Sequence, residues 1–539
     1  MSTILGKPSS ITVVYGKNER KTFPASQDIQ YQDILVELQG ENLQKIAVTA
    51  QDTPVRFLAI RWNFRLPPLA SFLGDAWERS YGELQWRGHA AARLMPWYFF
   101  SISQKTLFGF GVKTQPAAFA QWQADLDGVT LMLDLRNGAD GVHLLGRCLN
   151  VATVVSQSYQ LDTISVFDAC RDFCALMCER PLLPHRRVFG GNNWYYAYGD
   201  ITHESVLEDC RYLMKFAGNA AEAPYMVVDD GWEQTQGRTT NAGTWRQGNS
   251  RFPDMRLLAT EMREFGVTPG IWYRPLWNLD SSFPPEWHLP LCDGRGSVIG
   301  YRRSLDPSRP EILEYIACDI KQLQDWGFRL IKHDFTSFDL FGRWGFQMSP
   351  WPNSGDLFRF HDDTRTSAEI VLDLYRTIRD AAGSSLIIGC NTFGHLAAGL
   401  VHVSRIGDDT SGRAFNRTRN MGVNALAFRL CQHNTFFAVD ADCVGIIDRG
   451  RTIPWECNLA WARLLAFSQT AFFTSIRPDV LVSEQEKEIS SLYGIAIDGG
   501  NQIEPLDWLT NNIPSRWSIN GNEMIFDWYA DNLAQSDFF

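Results

Sequence analysis

The stretch PEILEYIACDIKQLQDWGFRLIKHDF, residues 310–335, contains one helix followed by one strand. Its apolar residues stand at positions 312, 313, 316, 317, 320 and 323, a spacing that places them on one face of an α-helix. RLIKHDF follows as a strand candidate that ends near Asp334. Helices that alternate with strands in this way predict a parallel α/β fold.

Seven further strand candidates alternate with helical segments between residues 181 and 478. They are VFGGNNW, YMVVDD, TPGIWYRP, SLIIGCN, HVSRIGDD, TFFAVDADC and AFFTSI. Eight strands over this length predict a central (β/α)8 TIM barrel, residues 181–478. A doubly wound open sheet is the competing fold, but no glycine-rich fingerprint follows the first strand.

The segments on either side of the barrel are predicted to be β-structures. Residues 1–180 carry short alternating runs such as ITVVYG and LMLDLR between turn residues, which predicts an N-terminal β-sandwich domain. Residues 479–539 contain WSINGNEMIFDWY, which predicts a small C-terminal β domain. The predicted protein is therefore multidomain.

Composition narrows the class of partner. The chain has 50 Lys and Arg residues against 61 Asp and Glu residues, and this net charge of −11 argues against nucleic-acid binding. Aromatic residues make up 13% of the chain, and their flat apolar faces with polar tips suit a carbohydrate partner. The start of the chain lacks a signal-peptide pattern and no apolar run reaches 18 residues, so we expect a cytoplasmic protein without a membrane partner.

The side chains at the carboxyl ends of the predicted strands share one chemical theme. This end of a barrel carries the active site. Carboxylates dominate it, together with two cations and several aromatic or small polar groups, namely Asp229, Asp230, Asp334, Asp409, Lys332, Arg405, Trp194, Trp272, Cys390 and Asn391. Serine and histidine are nearly absent from these ends, which argues against a Ser-His-Asp triad.

The alternation of side chains along a strand selects two of the carboxylates. In IKHDF, Lys332 and Asp334 share a face, and in SRIGDD, Arg405 and Asp409 share a face while Asp408 points outward. Each inward carboxylate is thus preceded by an inward cation, which favours its ionised form. Two carboxylates, one as nucleophile and one as acid/base, carry glycoside hydrolysis.

Metal binding is the competing interpretation of an acidic barrel mouth. Mg²⁺ prefers carboxylate oxygens, but Lys332 and Arg405 at the same depth would compete with a metal ion. The ten histidines are dispersed, which argues against a zinc site. We therefore expect no metal and no cofactor.

Several strings along the chain together resemble the retaining α-galactosidases of glycoside hydrolase family 36, whose clan also holds the melibiases of family 27. The strings stand in the order and at the spacing of barrel strands, and they are FLGDAWERSYGELQW (72–86), WYYAYGDIT (194–202), VVDDGW (227–232), TWRQGNSRFPDMRLLATEMREFGVTPGIWYRP, IKHDF (331–335), RIGDDT (405–410) and VDADC (439–443). The resemblance implies hydrolysis of terminal α-D-galactosides, in an oligosaccharide or glycoconjugate, through a covalent glycosyl-enzyme.

The resemblance also implies a role for each matching residue. Asp334 would be the nucleophile and Asp409 the acid/base. The residues that would bind the sugar hydroxyls are Asp229, Asp230, Lys332 and Arg405. Cys390 and Asn391 would line the wall of the site. Trp77 and Trp245 would be aromatic platforms, and Trp194 and Trp272 would also bind the substrate.

Two departures from the family pattern leave alternatives open. Gly191 stands where the family usually has tryptophan, and a wider sugar floor would suit an α-N-acetylgalactosaminidase. An α-galactosyl transferase of the raffinose-synthase kind would use the same two carboxylates. The C-terminal domain is short for the family, which leaves a homo-oligomer open as well.

Overall fold

The structure is a computed structural model that describes residues 4–25, 28–40, 44–218, 220–234, 243–279, 283–293, 297–355, 357–448 and 453–530. Within residues 10–160 the described elements are all β-strands, the middle of the chain alternates strands with helices, and a three-stranded sheet lies near the end.

Two antiparallel sheets form the N-terminal β unit, which we define as strands β1 to β13. The sheet orders are β2-β1-β6-β12-β11-β8 and β3-β4-β5-β13-β10-β9-β7. Trp122 of the first sheet meets Phe99 and Phe110 of the second, with ring centroids 6.0 and 6.1 Å apart. The strands are β1 Ser10–Tyr15, β2 Glu19–Pro24, β3 Asp28–Tyr31, β4 Ile34–Gln39, β5 Lys45–Ala50, β6 Val55–Trp62, β7 Ser71–Gly74, β8 Met95–Pro96, β9 Tyr98–Ser103, β10 Thr106–Val112, β11 Phe119–Ala124, β12 Val129–Asp134 and β13 Leu149–Gln160.

Helix α1, Val166–Met177, covers the second sheet and leads into the barrel. The Ser165 hydroxyl caps its first turn by accepting from the Asp168 N–H. Phe173 on its buried face packs edge-on against Phe100, 5.5 Å between ring centroids.

A curled parallel sheet of nine strands occupies the centre of the chain and fits a TIM-like barrel. Its order is β24-β23-β22-β21-β18-β15-β14-β26-β25. The Ala471 N–H donates to the Val439 carbonyl at 2.9 Å, which brings the two ends of the sheet together. All eight predicted strands are present, and Val444–Ile446 is an additional ninth. The strands are β14 Phe189–Asn192, β15 Tyr225–Val228, β18 Thr268–Tyr273, β21 Leu330–His333, β22 Leu386–Gly389, β23 Val403–Arg405, β24 Ala438–Asp440, β25 Val444–Ile446 and β26 Phe472–Ile476.

Helices and short strand pairs connect the strands of this sheet. Helix α5, Pro310–Trp326, buries one apolar face. Its buried residues include Ile312, Ile316, Ile320 and Leu323, as their spacing in the sequence predicts. The remaining elements are α2 Trp194–Ala197, α3 His203–Ala217, β16 Glu233–Gln234, β17 Thr244–Gly248, α4 Met255–Glu264, β19 His288–Cys292, β20 Val298–Leu305, α5 Pro310–Trp326, α6 Thr336–Phe341, α7 Ser367–Ala382, α8 Gly394–Ala397, α9 Phe415–Arg417, α10 Ala425–Arg429 and α11 Trp455–Ser468.

The last long helix, α12 Ser483–Asp498, packs on the barrel. Its Tyr493 stacks on Phe216 of α3 and meets Phe472 of β26, with centroids 6.2 and 5.0 Å apart. The predicted boundary at residue 478 therefore precedes the last helix of the barrel. The three-stranded sheet beyond it comprises β27 Ile503–Pro505, β28 Arg516–Ile519 and β29 Asn522–Ile525.

Among the described residues, no helix has both the length and the apolar character needed to cross a membrane.

The Tyr493 hydroxyl joins α12 to the first barrel strand. It donates to the carbonyl of Gly190 at 2.7 Å and lies 2.8 Å from the Thr474 hydroxyl. Tyr493→Phe should lower the free energy of unfolding by about 1–3 kcal/mol, because a buried carbonyl loses its donor. Urea denaturation measures this loss. Tyr301→Phe is the matched control, since Tyr301 is 43% exposed and should unfold like the parent chain. Equal stability of all three proteins would contradict the assignment of α12 to the barrel.

Candidate active site

A cavity of about 740 Å³ opens at the carboxyl ends of the barrel strands. Carboxylates, arginines and aromatic rings supply most of its wall. The lining residues are Arg79, Tyr81, Glu83, Asn192, Trp194, Tyr195, Asp229, Trp272, Lys332, Asp334, Phe335, Trp344, Phe346, Asn391, Asp408, Asp409, Arg417, Met421, Asp442 and Cys443.

Lys332 and Asp229 form an ion pair at the base of this cavity. The Lys332 ammonium donates to Asp229 Oδ2 at 2.7 Å, and the Asn192 amide donates to the same oxygen at 2.6 Å. Burial disfavours the charge on Lys332, but the negative groups around it, Asp229 foremost and Asp334 among them, together outweigh burial and keep the pKa of Lys332 above its ordinary value. The base of the cavity therefore presents charged donors and acceptors that are already aligned.

Asp334 is held immediately after strand β21. The Trp272 indole N–H donates to Asp334 Oδ2 at 3.2 Å, and the backbone N–H of Phe335 donates to Oδ1 at 2.7 Å. Phe335 has a φ of +62°, so the chain turns in the left-handed region where the strand ends. Two donors thus fix the direction in which this carboxylate faces.

Asp409 lies in a cluster of arginines. The Arg405 guanidinium donates to Asp409 Oδ1 at 3.0 Å and pairs with Asp442 at 2.5 Å, and Arg79 Nη1 lies 3.6 Å from Asp409 Oδ1. Burial raises the pKa of Asp409, but the cations around it, Arg405 first and then Arg79, together outweigh burial, and the pKa lies below its ordinary value. The free protein therefore holds Asp409 as a carboxylate.

Asp408 also lines the cavity, so the prediction that it points outward is wrong. Strand β23 ends at Arg405, and residues 406–409 no longer alternate between two faces. Asp408 pairs with Arg79 at 3.1 Å and with Arg417 at 2.8 Å. Strand alternation therefore separates inward from outward residues only as far as the strand extends.

Glu78 of the N-terminal β unit supports the Asp334 side of the cavity. Its Oε2 accepts from the Asn391 amide at 2.8 Å and from the Ser337 hydroxyl at 2.6 Å. Asn391 Oδ1 in turn accepts from the backbone N–H of Phe335 at 3.3 Å. A buried glutamate outside the barrel thus orients the wall beside Asp334.

Several of the residues that build this site were not assigned a role from the sequence. Arg79 and Glu78 lie inside FLGDAWERSYGELQW, where two adjacent opposite charges next to a tryptophan were a usable signal. Asn192 and Asp442 stand at strand ends, but Trp344, Phe346 and Arg417 lie in connections that carry no periodic pattern. These three could be found only from the folded chain.

Trp77 and Trp245, both predicted as platforms, are buried and do not lie at the cavity wall in this structure. Neither tryptophan is one of the described residues that line the cavity. Trp77 packs against Phe119 of its own unit and against His395 of the barrel, with ring centroids 5.8 and 5.9 Å apart, so it fills the contact between the two. Trp245 packs against Trp272 at 5.7 Å and donates to a backbone carbonyl, so it supports the ring that reaches Asp334.

Gly191 does not widen the sugar floor. A Cβ atom at this position would lie 2.9 Å from Met226 Sδ and 3.4 Å from a methyl carbon of Leu213 on helix α3. A side chain there would point into the helix layer, away from the cavity. The structural reason for expecting an N-acetyl pocket at this position is therefore wrong.

Three predicted ligands lie behind the lining. Asp230 is buried, and its N–H donates to Asp229 Oδ1 at 3.0 Å. Cys390 is buried after strand β22, and Arg405 is buried behind Asp409. Their direct contact with sugar stays a prediction. In the described ranges, no three His, Cys, Asp or Glu side chains group in a way that could hold a metal ion.

Asp209 of helix α3 lies behind the site and should make stability depend on pH. It accepts from the Tyr196 hydroxyl, and burial raises its pKa from 3.8 to about 7. The folded chain binds this proton more tightly than the unfolded chain, so stability should fall as pH rises from about 4 to 7. Asp209→Asn should remove up to about 4 kcal/mol of that decline.

Urea denaturation at pH 4.5 and 7.5 measures the decline in each protein. Asp200→Asn is the control, since its side chain is 94% exposed. A decline that is the same in Asp209→Asn and in the parent chain would contradict the prediction.

No protein-family profile matches the chain. Solved structures with a similar fold include an α-galactosidase from Thermus thermophilus in complex with p-nitrophenyl α-D-galactopyranoside, at 17% identity and a TM-score of 0.60, covering 94% of this chain and 99% of that one. They also include a glycoside hydrolase family 36 α-galactosidase from Geobacillus stearothermophilus in complex with 1-deoxygalactonojirimycin, at 14% identity and a TM-score of 0.58, covering 96% of this chain and 77% of that one. Over nearly its whole length, the chain shares the fold of glycoside hydrolase family 36 α-galactosidases.

Proposed function

We propose that this chain is a retaining exo-acting α-galactosidase. The observation that carries the proposal is one cavity that holds both Asp334 and Asp409 above the Lys332–Asp229 pair. Two carboxylates are the machinery of glycoside hydrolysis, and aligned charged groups at the base bind sugar hydroxyls. The similar Thermus thermophilus structure, an α-galactosidase in complex with p-nitrophenyl α-D-galactopyranoside, supports galactose as the sugar.

Asp334 is suited to be the nucleophile in the first step. Its carboxylate would attack the anomeric carbon while Asp409 gives a proton to the glycosidic oxygen, so that the aglycone leaves as an alcohol. Trp272 and the Phe335 N–H hold Asp334 in one orientation, which favours in-line attack by one of its oxygens.

Asp409 would act in both steps, losing a proton in the first and gaining one in the second. After the first step it is a carboxylate, the form that its arginine neighbours favour. It would then take a proton from water as the water attacks the anomeric carbon and releases Asp334, which gives α-galactose. The arginines therefore assist the second step and oppose the first, so activity should be greatest at acidic pH.

The base of the cavity supports exo cleavage. Asn192 and Lys332 both donate to Asp229 there, so the base presents charged groups that suit the hydroxyls of one terminal sugar. Transfer to a sugar acceptor uses the same two carboxylates, and an N-acetylgalactosaminidase would use them as well. Parallel assays with a sugar acceptor and with the α-N-acetylgalactosaminide distinguish these alternatives from hydrolysis.

Hydrolysis with retention is the first expected outcome. The chain should hydrolyse p-nitrophenyl α-galactoside, and NMR of the first product should show α-galactose. Dialysis against EDTA should leave the rate unchanged, because Lys332 and Arg405 already pair with the carboxylates that a metal would need. Early β-galactose would contradict retention, and absence of hydrolysis would contradict the proposal as a whole.

Variants of Asp334 and Asp409 should separate the two roles. Asp334→Gly should lose activity by a factor of about 10⁴ or more, and azide should restore turnover with the β-galactosyl azide as product. Asp409→Ala should still release dinitrophenolate, which needs no proton, and azide should speed deglycosylation with the α-azide as product. Kinetics and NMR of the azides provide the measurement.

Asp408→Ala is the matched control for these roles. Asp408 lies beside Asp409 in the same cavity but pairs with Arg79 and Arg417, so this variant should still hydrolyse raffinose. An acid/base phenotype in Asp408→Ala, or the two azide products in the opposite order, would reverse the assignment.

A further inference from the structure

A segment of the N-terminal β unit reaches the barrel mouth. The Ser80 N–H donates to the Ile406 carbonyl at 2.8 Å, and the Asp408 N–H donates back to the Ser80 carbonyl at 3.0 Å. These two bonds pair the backbone of the segment with the connection that carries Asp409. Arg79, next to Ser80, is thereby placed at the cavity with 5% of its side chain exposed.

The Arg79 guanidinium lies between two carboxylates and two aromatic rings. Nη2 is 3.1 Å from Asp408 Oδ1, and Nη1 is 3.6 Å from Asp409 Oδ1. Its central carbon is 5.4 Å from the Trp344 ring centroid and 5.9 Å from that of Tyr81. Because only 5% of the Arg79 side chain is exposed, its attraction to the carboxylates is screened less than on a surface.

We propose that Arg79 is a positioning residue for acid catalysis, through which the N-terminal β unit holds the carboxylate of Asp409 and sets the alkaline limit of activity. The inference rests on the proposed function, because it takes Asp409 as the acid/base. Arg79 acts through Asp409 and is given no contact with the reacting atoms.

Other charged groups also face Asp409 and belong to the same balance. They come from the barrel strands, from the connections after them and from the first strand end, and they are Arg405, Lys332, Arg417, Asp408, Asp442 and Tyr195. Arg405 is shared with Asp442, and Asp408 is shared between Arg79 and Arg417. The Asp408 carboxylate is shared by the guanidiniums of Arg79 and Arg417. It therefore does not cancel the positive charge of Arg79 that acts on Asp409.

The consequence concerns leaving groups that need a proton. The rate constant kcat/KM for such substrates follows the fraction of free protein with Asp409 protonated. A positive charge beside Asp409 lowers that fraction at any pH, so removal of the charge should extend activity to higher pH. A leaving group such as dinitrophenolate needs no proton and should not report the change.

The experiment compares pH profiles of kcat/KM for raffinose and 2,4-dinitrophenyl α-galactoside. Arg79→Gln should move the alkaline limb for raffinose up by about 1 pH unit, near the low end of the effect of one adjacent charge. Arg79→Lys keeps the charge and should move the limb back toward that of the parent chain. Arg61→Gln is the matched control, because it breaks the Arg61–Asp125 pair of the same unit, far in the fold from the mouth.

Asp408→Asn gives a test of opposite sign that does not depend on the Arg79 variants folding. It removes a negative charge beside Arg79, so the alkaline limb for raffinose should move to lower pH. The inference is overturned if the alkaline limb for raffinose stays fixed in both Arg79→Gln and Asp408→Asn while kcat/KM falls equally at every pH. Arg79 would then have only a structural role. If Arg79→Gln does not fold, a fixed limb in Asp408→Asn alone overturns it. An inactive parent chain would instead refute the proposed function.

Discussion

Charge compensation at the barrel mouth is the constraint on which the rest of the structure depends. A carboxylate taken out of water stays ionised only when a cation or several donors replace the lost solvation. Asp229 has Lys332, and Asp442 has Arg405 and the Thr410 N–H. Each of these two acids is thus matched by a cation from another strand of the sheet, and removal of one partner would leave its mate as an uncompensated charge. This is also why the mouth can present several acids within one cavity.

The same constraint explains why the N-terminal β unit is fused so closely to the barrel. Arg429 behind strand β23 finds its carboxylate in Asp75, at 2.6 Å, and Asn391 finds its acceptor in Glu78. Both acids come from the segment that follows β7. Without the N-terminal β unit, the buried donor groups of Arg429 and Asn391 would lose these acceptors, and the wall of the cavity would lack part of its support. Domain contact and site construction are one set of interactions in this chain.

Much of this arrangement could be predicted from the sequence, since strand and helix periods are local. The eight strands, and the position of Asp334 one residue beyond strand β21, follow from apolar spacing alone. Asp408 could not be predicted, because alternation stops where strand β23 ends at Arg405. Trp77 and Trp245 could not be placed either: a tryptophan fills a domain contact or a second layer as readily as it lines a sugar site. The prediction for Gly191 failed for a related reason. Which face of the strand a side chain at this position would occupy is fixed only in the folded barrel.

The covering of the first barrel strand by helix α12 has a consequence for how the chain is made. The Gly190 carbonyl receives its proton donor from Tyr493, 303 residues later, and strand β14 also pairs with β26 near the end of the barrel. A ribosome delivers these partners last, so the first strand must wait for them with its edge open throughout synthesis. Such long sequence separation makes closure slow compared with local folding. The N-terminal β unit, whose strands pair within residues 10–160, can fold during that interval and meet an unfinished barrel.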